Sequence, residues 1–257
     1  MPPRGTPGSH QFAAPSLSIC VIERVVPAGD GWLVRIRCSQ VFEGDFRCDH
    51  RGGAGAEGDE SLERRRQRLM SGRWTWLRQV HSADVALITE PGGCAGAVAD
   101  GAVTAVPEAV LALHTADCAP VVVVGGGALG VAHAGWRGIV AGVIGEVVDG
   151  VRRAQRSASE VTEVRAVIGP VIRPASYEFG AEDLATVAAA AGCDVSGITS
   201  WGTPALDLCA AVLGTLKAAR VTDVEDLGLD TARGGFFSHR ARGDRGRQAT
   251  AARLERR

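Results

Sequence analysis

Apolar positions along this chain either alternate with polar ones, run together, or recur at helical spacing, and the three patterns mark out its elements. Residues 18–26 and 31–38 are strand-like runs on either side of Pro27-Ala28-Gly29-Asp30, a turn composition, and are expected to form a hairpin. A polar segment then carries Leu62 and Leu69 at helical spacing, with Gly58-Asp59 expected as its cap and an end near Met70. From Trp74 the pattern is strand-rich, with runs at 74–80, 85–89, 110–114, 120–124 and 129–132. Val121 to Val124 is uninterrupted, as in a strand covered on both faces.

Residues 138–153 put Ile139, Val140, Val143, Ile144, Val147 and Val148 on one side of a helix. A buried strand at 164–168 ends at Gly169-Pro170, and helices follow at 181–191 and 206–219. Residues 223–228 read as a short connection into a strand around Phe236-Phe237. Strands and helices mixed without strict alternation predict an α+β fold. The Pro/Gly/Ser-rich residues 1–16 are expected to be disordered.

Composition narrows the class. The chain has 257 residues, 46% of them hydrophobic, which is enough for a sizeable core. No Pro/Ser linker divides the patterned region, so residues 17–250 are read as a single domain, followed by a basic tail at 251–257. A net charge of −1 gives no basic field for nucleic acid, which is not expected as a partner. No apolar run approaches the roughly 20 residues that cross a bilayer, so no membrane association is expected. Seven cysteines, odd in number and irregularly spaced, point to a reducing, cytoplasmic setting. Arginines crowd the C-terminal segment, either as a solvated tail or, in its first part, as anion contacts.

Three fragments carry the candidate chemistry: Arg78-Gln79-Val80-His81, Thr115-Ala116-Asp117-Cys118 and Ala132-His133-Ala134-Gly135-Trp136-Arg137-Gly138. Each ends an apolar run and presents one metal-competent side chain. Two imidazoles and a thiolate suit zinc, and three protein ligands leave a fourth position open, the pattern of a catalytic site. Spacing alone does not establish this, since a single His or Cys near a strand end is more often a satisfied polar group or a small core residue.

With Ala99-Asp100-Gly101, Ile168-Gly169-Pro170, Tyr177-Glu178 and Phe236-Phe237-Ser238, these fragments resemble the YfiH/YlmD family. That family is also described as a multicopper polyphenol oxidase (laccase) domain, as purine nucleoside phosphorylase and as peptidoglycan editing factor. The likeness runs in order from about Trp74 to Gln248, and the unbroken Ala-His-Ala-Gly-Trp-Arg-Gly string is its most specific part. It implies a four-layer α/β/β/α sandwich with His81, Cys118 and His133 as ligands of Zn2+, or alternatively Cu2+. It also implies phosphorolysis of adenosine, inosine, guanosine and methylthioadenosine, together with deamination of adenosine. The implied partners are a nucleoside and inorganic phosphate, and a monomer or small homo-oligomer is expected.

Beside the ligands, Asp117 reads either as a turn-holding residue or as an orienting or acid/base group. Gln79 is a candidate substrate contact. Trp136 reads either as core or as a platform for a purine ring, and Arg137 offers a planar fork to an anion. Arg240 and Arg247 are candidate phosphate contacts, with exposed ion pairing as the plainer alternative. The chain departs from the family pattern at His114, at Ser176 and at His239, where a tyrosine is usual. It departs most in residues 37–60, where Gln40-Val41-Phe42 and Cys48-Asp49-His50 replace pocket-shaping residues.

Three other readings compete. Six histidines are too few for a full multicopper oxidase, and the only internal methionine, Met70, lies on a polar helix. An amidase acting on cell-wall precursors is not separated from nucleoside chemistry by sequence. A closed structural metal site would need a fourth ligand, for which Cys94 is the only nearby candidate.

Overall fold

The computed structural model describes residues 21–29, 31–48, 61–155 and 163–257. The expected disordered segment 1–16, the first residues of the expected hairpin and the Gly58-Asp59 cap lie outside the described residues. In chain order the elements are β1 (Ile22–Pro27), β2 (Trp32–Cys38), α1 (Leu62–Leu69), β3 (Trp74–Arg78), β4 (Val85–Ile88), β5 (Ala97–Val98) and β6 (Gly101–Thr104). Next come β7 (Val110–Thr115), β8 (Ala119–Gly125), β9 (Ala128–Ala134), α2 (Trp136–Ala141), α3 (Val143–Ala154) and β10 (Arg165–Ile168). The chain finishes with α4 (Ala181–Ala191), β11 (Ser196–Ile198), β12 (Pro204–Leu206), α5 (Leu208–Ala218), β13 (Asp223–Asp226), α6 (His239–Arg242) and β14 (Gln248–Arg256).

Two six-stranded sheets form the body, in the orders β1-β2-β14-β7-β3-β5 and β13-β10-β8-β9-β6-β4. The period-two alternation of side chains assigns each strand to two interfaces. On β7, Leu111 and Leu113 pack between the sheets with Val122 and Val124 of β8, Val131 of β9 and Leu254 of β14. The alternate β7 residues Val110 and Ala112 face the other way, against Leu69 of α1, Met70 and Phe46. On β8, Val121 and Val123 turn outward to Val143, Val147 and Val151 of α3 and Leu208 and Val212 of α5. Three apolar interfaces thus separate a thin helical layer, two sheets and a thick helical layer, in agreement with the expected α+β sandwich. Burying each such valine or leucine contributes about 1.5–3 kcal/mol, so the uninterrupted run of β8 is a principal source of stability.

Several expectations are corrected. The cap of α1 is Ser61, whose hydroxyl accepts the Arg64 N–H at 3.3 Å. The helix expected over 138–153 is two helices, because Gly142 adopts φ 96°, a left-handed conformation that ends α2 while the apolar periodicity runs on into α3. The segment after Asp223 is a strand, β13, parallel to β10. Phe236 and Phe237 are not in a strand; they lead into α6, whose cap Ser238 accepts the Ala241 N–H at 3.1 Å.

The basic tail expected at 251–257 is instead most of β14, paired antiparallel with both β2 and β7. Ala251, Ala252 and Leu254 are fully buried there, while Arg253 pairs with Glu255 at 2.6 Å and Arg256 lies over the Trp32 ring. The arginine content masks an alternation that the strand obeys. No helix among the described residues is long and apolar enough to cross a membrane.

Candidate metal centre

The topology brings three strand ends together where the sheets meet. β3 belongs to the first sheet and leads into His81, Cys118 lies at the crossing from β7 to β8, and His133 is near the end of β9 in the second. The potential ligand atoms of His81, Cys118 and His133 lie within 4.8 Å of one another, and the two imidazole centroids are 4.7 Å apart.

Asp100, fully buried at the start of β6, organises this wall. Its carboxylate accepts the backbone N–H groups of Val80, His81 and Ser82 at 3.0, 2.9 and 2.8 Å. Those three bonds hold His81 at φ 62°, a conformation that costs an L-residue about 1–2 kcal/mol when nothing holds it. Asp100 also accepts Nδ1–H of the buried His133 at 2.8 Å, which fixes the tautomer and leaves Nε2 for the Cys118 side.

Electrostatics follow the same network. Burial opposes charge on Asp100, but the hydrogen bonds from His133 and from the Ser82 and Val80 N–H groups outweigh it and hold the carboxyl well below its usual range. Burial likewise opposes an imidazolium at His133, yet the Cys118 sulfur and Asp100 carboxylate push it up to about 9. Burial and the neighbouring His133 push His81 down, toward the neutral form that ligates metals.

Whether the residues fit a metal can be tested on two features. His81 Nδ1 is buried without a hydrogen-bond partner, the state expected of a nitrogen waiting for a cation. Gly135 leaves the space beside it open, since a Cβ there would stand 2.6 Å from that nitrogen and 2.9 Å from the Cys118 sulfur. The donor set, one sulfur and two imidazoles, fits zinc or copper.

The trio opens on a cavity of about 440 Å³, within the size range of small-molecule sites. Gln79 and Arg247 line it, as do Cys48 and His239, which the sequence marked as departures from the family pattern, and Arg47, which it left without a role. Gln79 is clamped to β7, donating to the His114 carbonyl at 3.0 Å and accepting the His114 N–H at 2.9 Å. His114 joins the lining as a neighbour of the trio.

Four other candidates are not among the lining residues. Asp117 is buried, and its carboxylate accepts the Thr231 hydroxyl at 2.7 Å, the Ser238 hydroxyl at 2.6 Å and the Arg240 N–H at 2.7 Å. Trp136 packs edge-on against Phe179 and carries the Arg137 guanidinium on its face at 4.1 Å. Arg240 lies over the Tyr177 ring at 4.8 Å and donates to the Glu178 carbonyl. Asp100 is the main residue that sequence reasoning left without a role. The Ala99-Asp100-Gly101 fragment was its only signal, and nothing in the spacing links it to a histidine 33 residues away.

Residues 49–255 match the family model described as multi-copper polyphenol oxidoreductase laccase. The chain is 38% identical over 179 residues to purine nucleoside phosphorylase ORF3 of Streptomyces griseus, covering 68% of this chain and 71% of that protein. It is 37% identical over 220 residues to a purine nucleoside phosphorylase of Xylella fastidiosa, covering 78% and 81%. Among solved structures, YlmD from Geobacillus stearothermophilus superposes with a TM-score of 0.69 at 27% identity, over 90% of this chain and 94% of that one. YfiH from Bacillus licheniformis shares the fold, with a TM-score of 0.68 at 23% identity over 86% and 92%.

Proposed function

Because this chain belongs to the family described as multi-copper polyphenol oxidoreductase laccase, and its relatives are named purine nucleoside phosphorylase, we propose that it is a cytoplasmic, zinc-dependent purine nucleoside phosphorylase that also deaminates adenosine. The observation that carries this reading is the meeting of the His81-Cys118-His133 trio with Arg247 around one cavity. In phosphorolysis a phosphate oxygen bonds to C1′ of the ribose as the bond from C1′ to N9 breaks. The purine leaves with the electron pair and takes up a proton. In deamination water adds at C6 and ammonia departs, giving inosine.

His81, Cys118 and His133 would hold the zinc, which when bound supplies a Lewis acid and lowers the proton affinity of bound water. The chain's own residues do the rest. Arg247, on the cavity wall, offers charge-assisted hydrogen bonds to phosphate. His239 and His114 add polar edges beside it, and Gln79 keeps the β7 backbone in place. Asp117 positions the segment that carries His239, through Ser238 and the Arg240 N–H. Adenosine, inosine, guanosine and methylthioadenosine are the proposed substrates.

Copper oxidase chemistry is the second reading, favoured by the family description and by a ligand set that also suits copper. One preparation distinguishes the two. Metal-stripped protein reconstituted separately with zinc and with copper is given each nucleoside, with and without phosphate, and a phenol, and every product is identified. Nucleoside cleavage with zinc and phosphate supports the proposal. Robust copper-dependent oxygen consumption without nucleoside turnover contradicts it.

A further inference from the structure

Outside the trio, Cys48 and His114 line the same cavity, and Arg66 bonds to Cys48. The Cys48 sulfur accepts a hydrogen bond from Arg66 Nη2 at 3.0 Å and lies 3.8 Å from His114 Nδ1. Arg66 is held for this contact. Its guanidinium lies over Trp74 at 5.8 Å and over Trp76 at 5.5 Å, its Nη1 stands 3.7 Å from the exposed Glu63 carboxylate, and its side chain is only 11% exposed. Cys48 itself is half-buried and faces the cavity.

A thiol attacks as its anion, and a neighbouring guanidinium and imidazole stabilise that anion. Cys118 belongs to the metal trio, and the other described cysteines have poorer surroundings for attack. Cys94 is exposed but has only the Leu87 carbonyl near its sulfur, at 3.9 Å, and Cys38 and Cys209 are buried. Cys193 donates to the Ala210 carbonyl.

We propose that Cys48 is a covalent modification site, taking up low-molecular-weight disulfides as a mixed disulfide inside the cavity. The Cys48 sulfur anion attacks one sulfur of the disulfide. A new S–S bond forms, the old one breaks, and the departing thiolate takes a proton from water. Cys48 is oxidised and the disulfide reduced, and the proton of the original thiol passes to His114 or solvent. The attached group fills space beside the metal trio and closes the cavity to substrate until a thiol reductant removes it. That last consequence rests on the proposed nucleoside reading; the modification itself does not.

The test uses metal-loaded protein and a substoichiometric pulse of dithiodipyridine, a neutral disulfide, followed by acid quench and peptide mapping by mass spectrometry. Cys48 is expected to label at least about fivefold faster than Cys94 although it is the less exposed of the two, because cationic neighbours raise the reactive fraction more than they lower nucleophilicity. Arg66→Gln should bring Cys48 down toward the Cys94 rate and leave Cys94 unchanged. Since Arg66 also packs on two indoles, His114→Leu provides an independent variant expected to slow Cys48 alone. Labelling of wild-type Cys48 no faster than Cys94 overturns the proposal, whatever the nucleoside assays show. So does a Cys48 rate indifferent to both variants.

Discussion

Asp100 and Asp117 are both buried carboxylates beside one cavity, and they hold different things. Among the described residues, every hydrogen-bond partner of the Asp100 carboxylate belongs to the metal wall: the backbone at 80–82, the Ser82 hydroxyl and His133. The Asp117 carboxylate sits one residue from the Cys118 ligand yet reaches away from it, to Thr231, Ser238 and the Arg240 N–H. One aspartate shapes the ligands on strand ends; the other ties down the turn-rich C-terminal segment that supplies His239 to the cavity. On the proposed function, metal binding and substrate recognition would therefore be positioned by separate networks, and substitutions should be able to separate them.

The sharpest way to break that separation is Asp100→Asn. One carboxylate oxygen would become an amide NH2 facing backbone N–H donors or the His133 ring, so the His81 turn or the imidazole must move. Zinc affinity, read by competition with a chelator, is expected to fall about 10–100-fold, the usual effect of losing the partner that orients a metal-bound histidine. Unchanged affinity would detach Asp100 from the metal wall.

The second test is pH. The Cys118 sulfur and Asp100 carboxylate push His133 up to about 9, and its proton must leave before the nitrogen can ligate. Zinc affinity should therefore rise by up to about tenfold per pH unit from neutrality and level off above pH 9, with proton release visible by calorimetry in buffers of different ionisation enthalpy. Asp100→Asn should flatten the profile, since Asp100 is one of the groups that raise His133.

Asp117→Asn should do the opposite of Asp100→Asn: zinc content stays, while stability falls by about 1.5–3 kcal/mol for a weakened charged hydrogen-bond set and the KM for phosphate rises. Equal loss of zinc in both variants would merge the two networks. The smallest effects are expected from the arginines. Arg247→Ala should raise the phosphate KM by roughly tenfold, one charge-assisted contact's worth, and leave adenosine deamination nearly intact. Arg240→Ala should raise it less, because Arg240, unlike Arg247, is not among the cavity-lining residues and its guanidinium lies on Tyr177. Parallel loss of both activities in Arg247→Ala would assign it to the fold.

The same contrast explains what could be read from sequence. That His81, Cys118 and His133 come together was legible through the family resemblance of the strings around them, not through their spacing. The central strands β7 to β9 were legible because they are apolar on both faces. Asp100 was opaque because its partners are backbone amides and a histidine distant in sequence. Arg47 was opaque because its segment has no periodicity, while Cys48 and His239 stood out only as departures from the family pattern, with nothing in the spacing to bring them to one cavity. The last strand was hidden by its arginines, which pair with Glu255 or stack on Trp32 and leave Ala252 and Leu254 to fill the core. Gly142 divides a helix whose apolar stripe gives no sign of the break.

Whether His81, Cys118 and His133 act together as a metal site is tested most directly by metal analysis of purified protein. Wild type, Cys118→Ser and His133→Ala are loaded with zinc, desalted and measured by elemental mass spectrometry, with thermal unfolding as the check on fold. One tightly held zinc per wild-type chain is expected, and its loss from both variants while cooperative unfolding is retained. Full zinc occupancy in either folded variant would contradict that assignment.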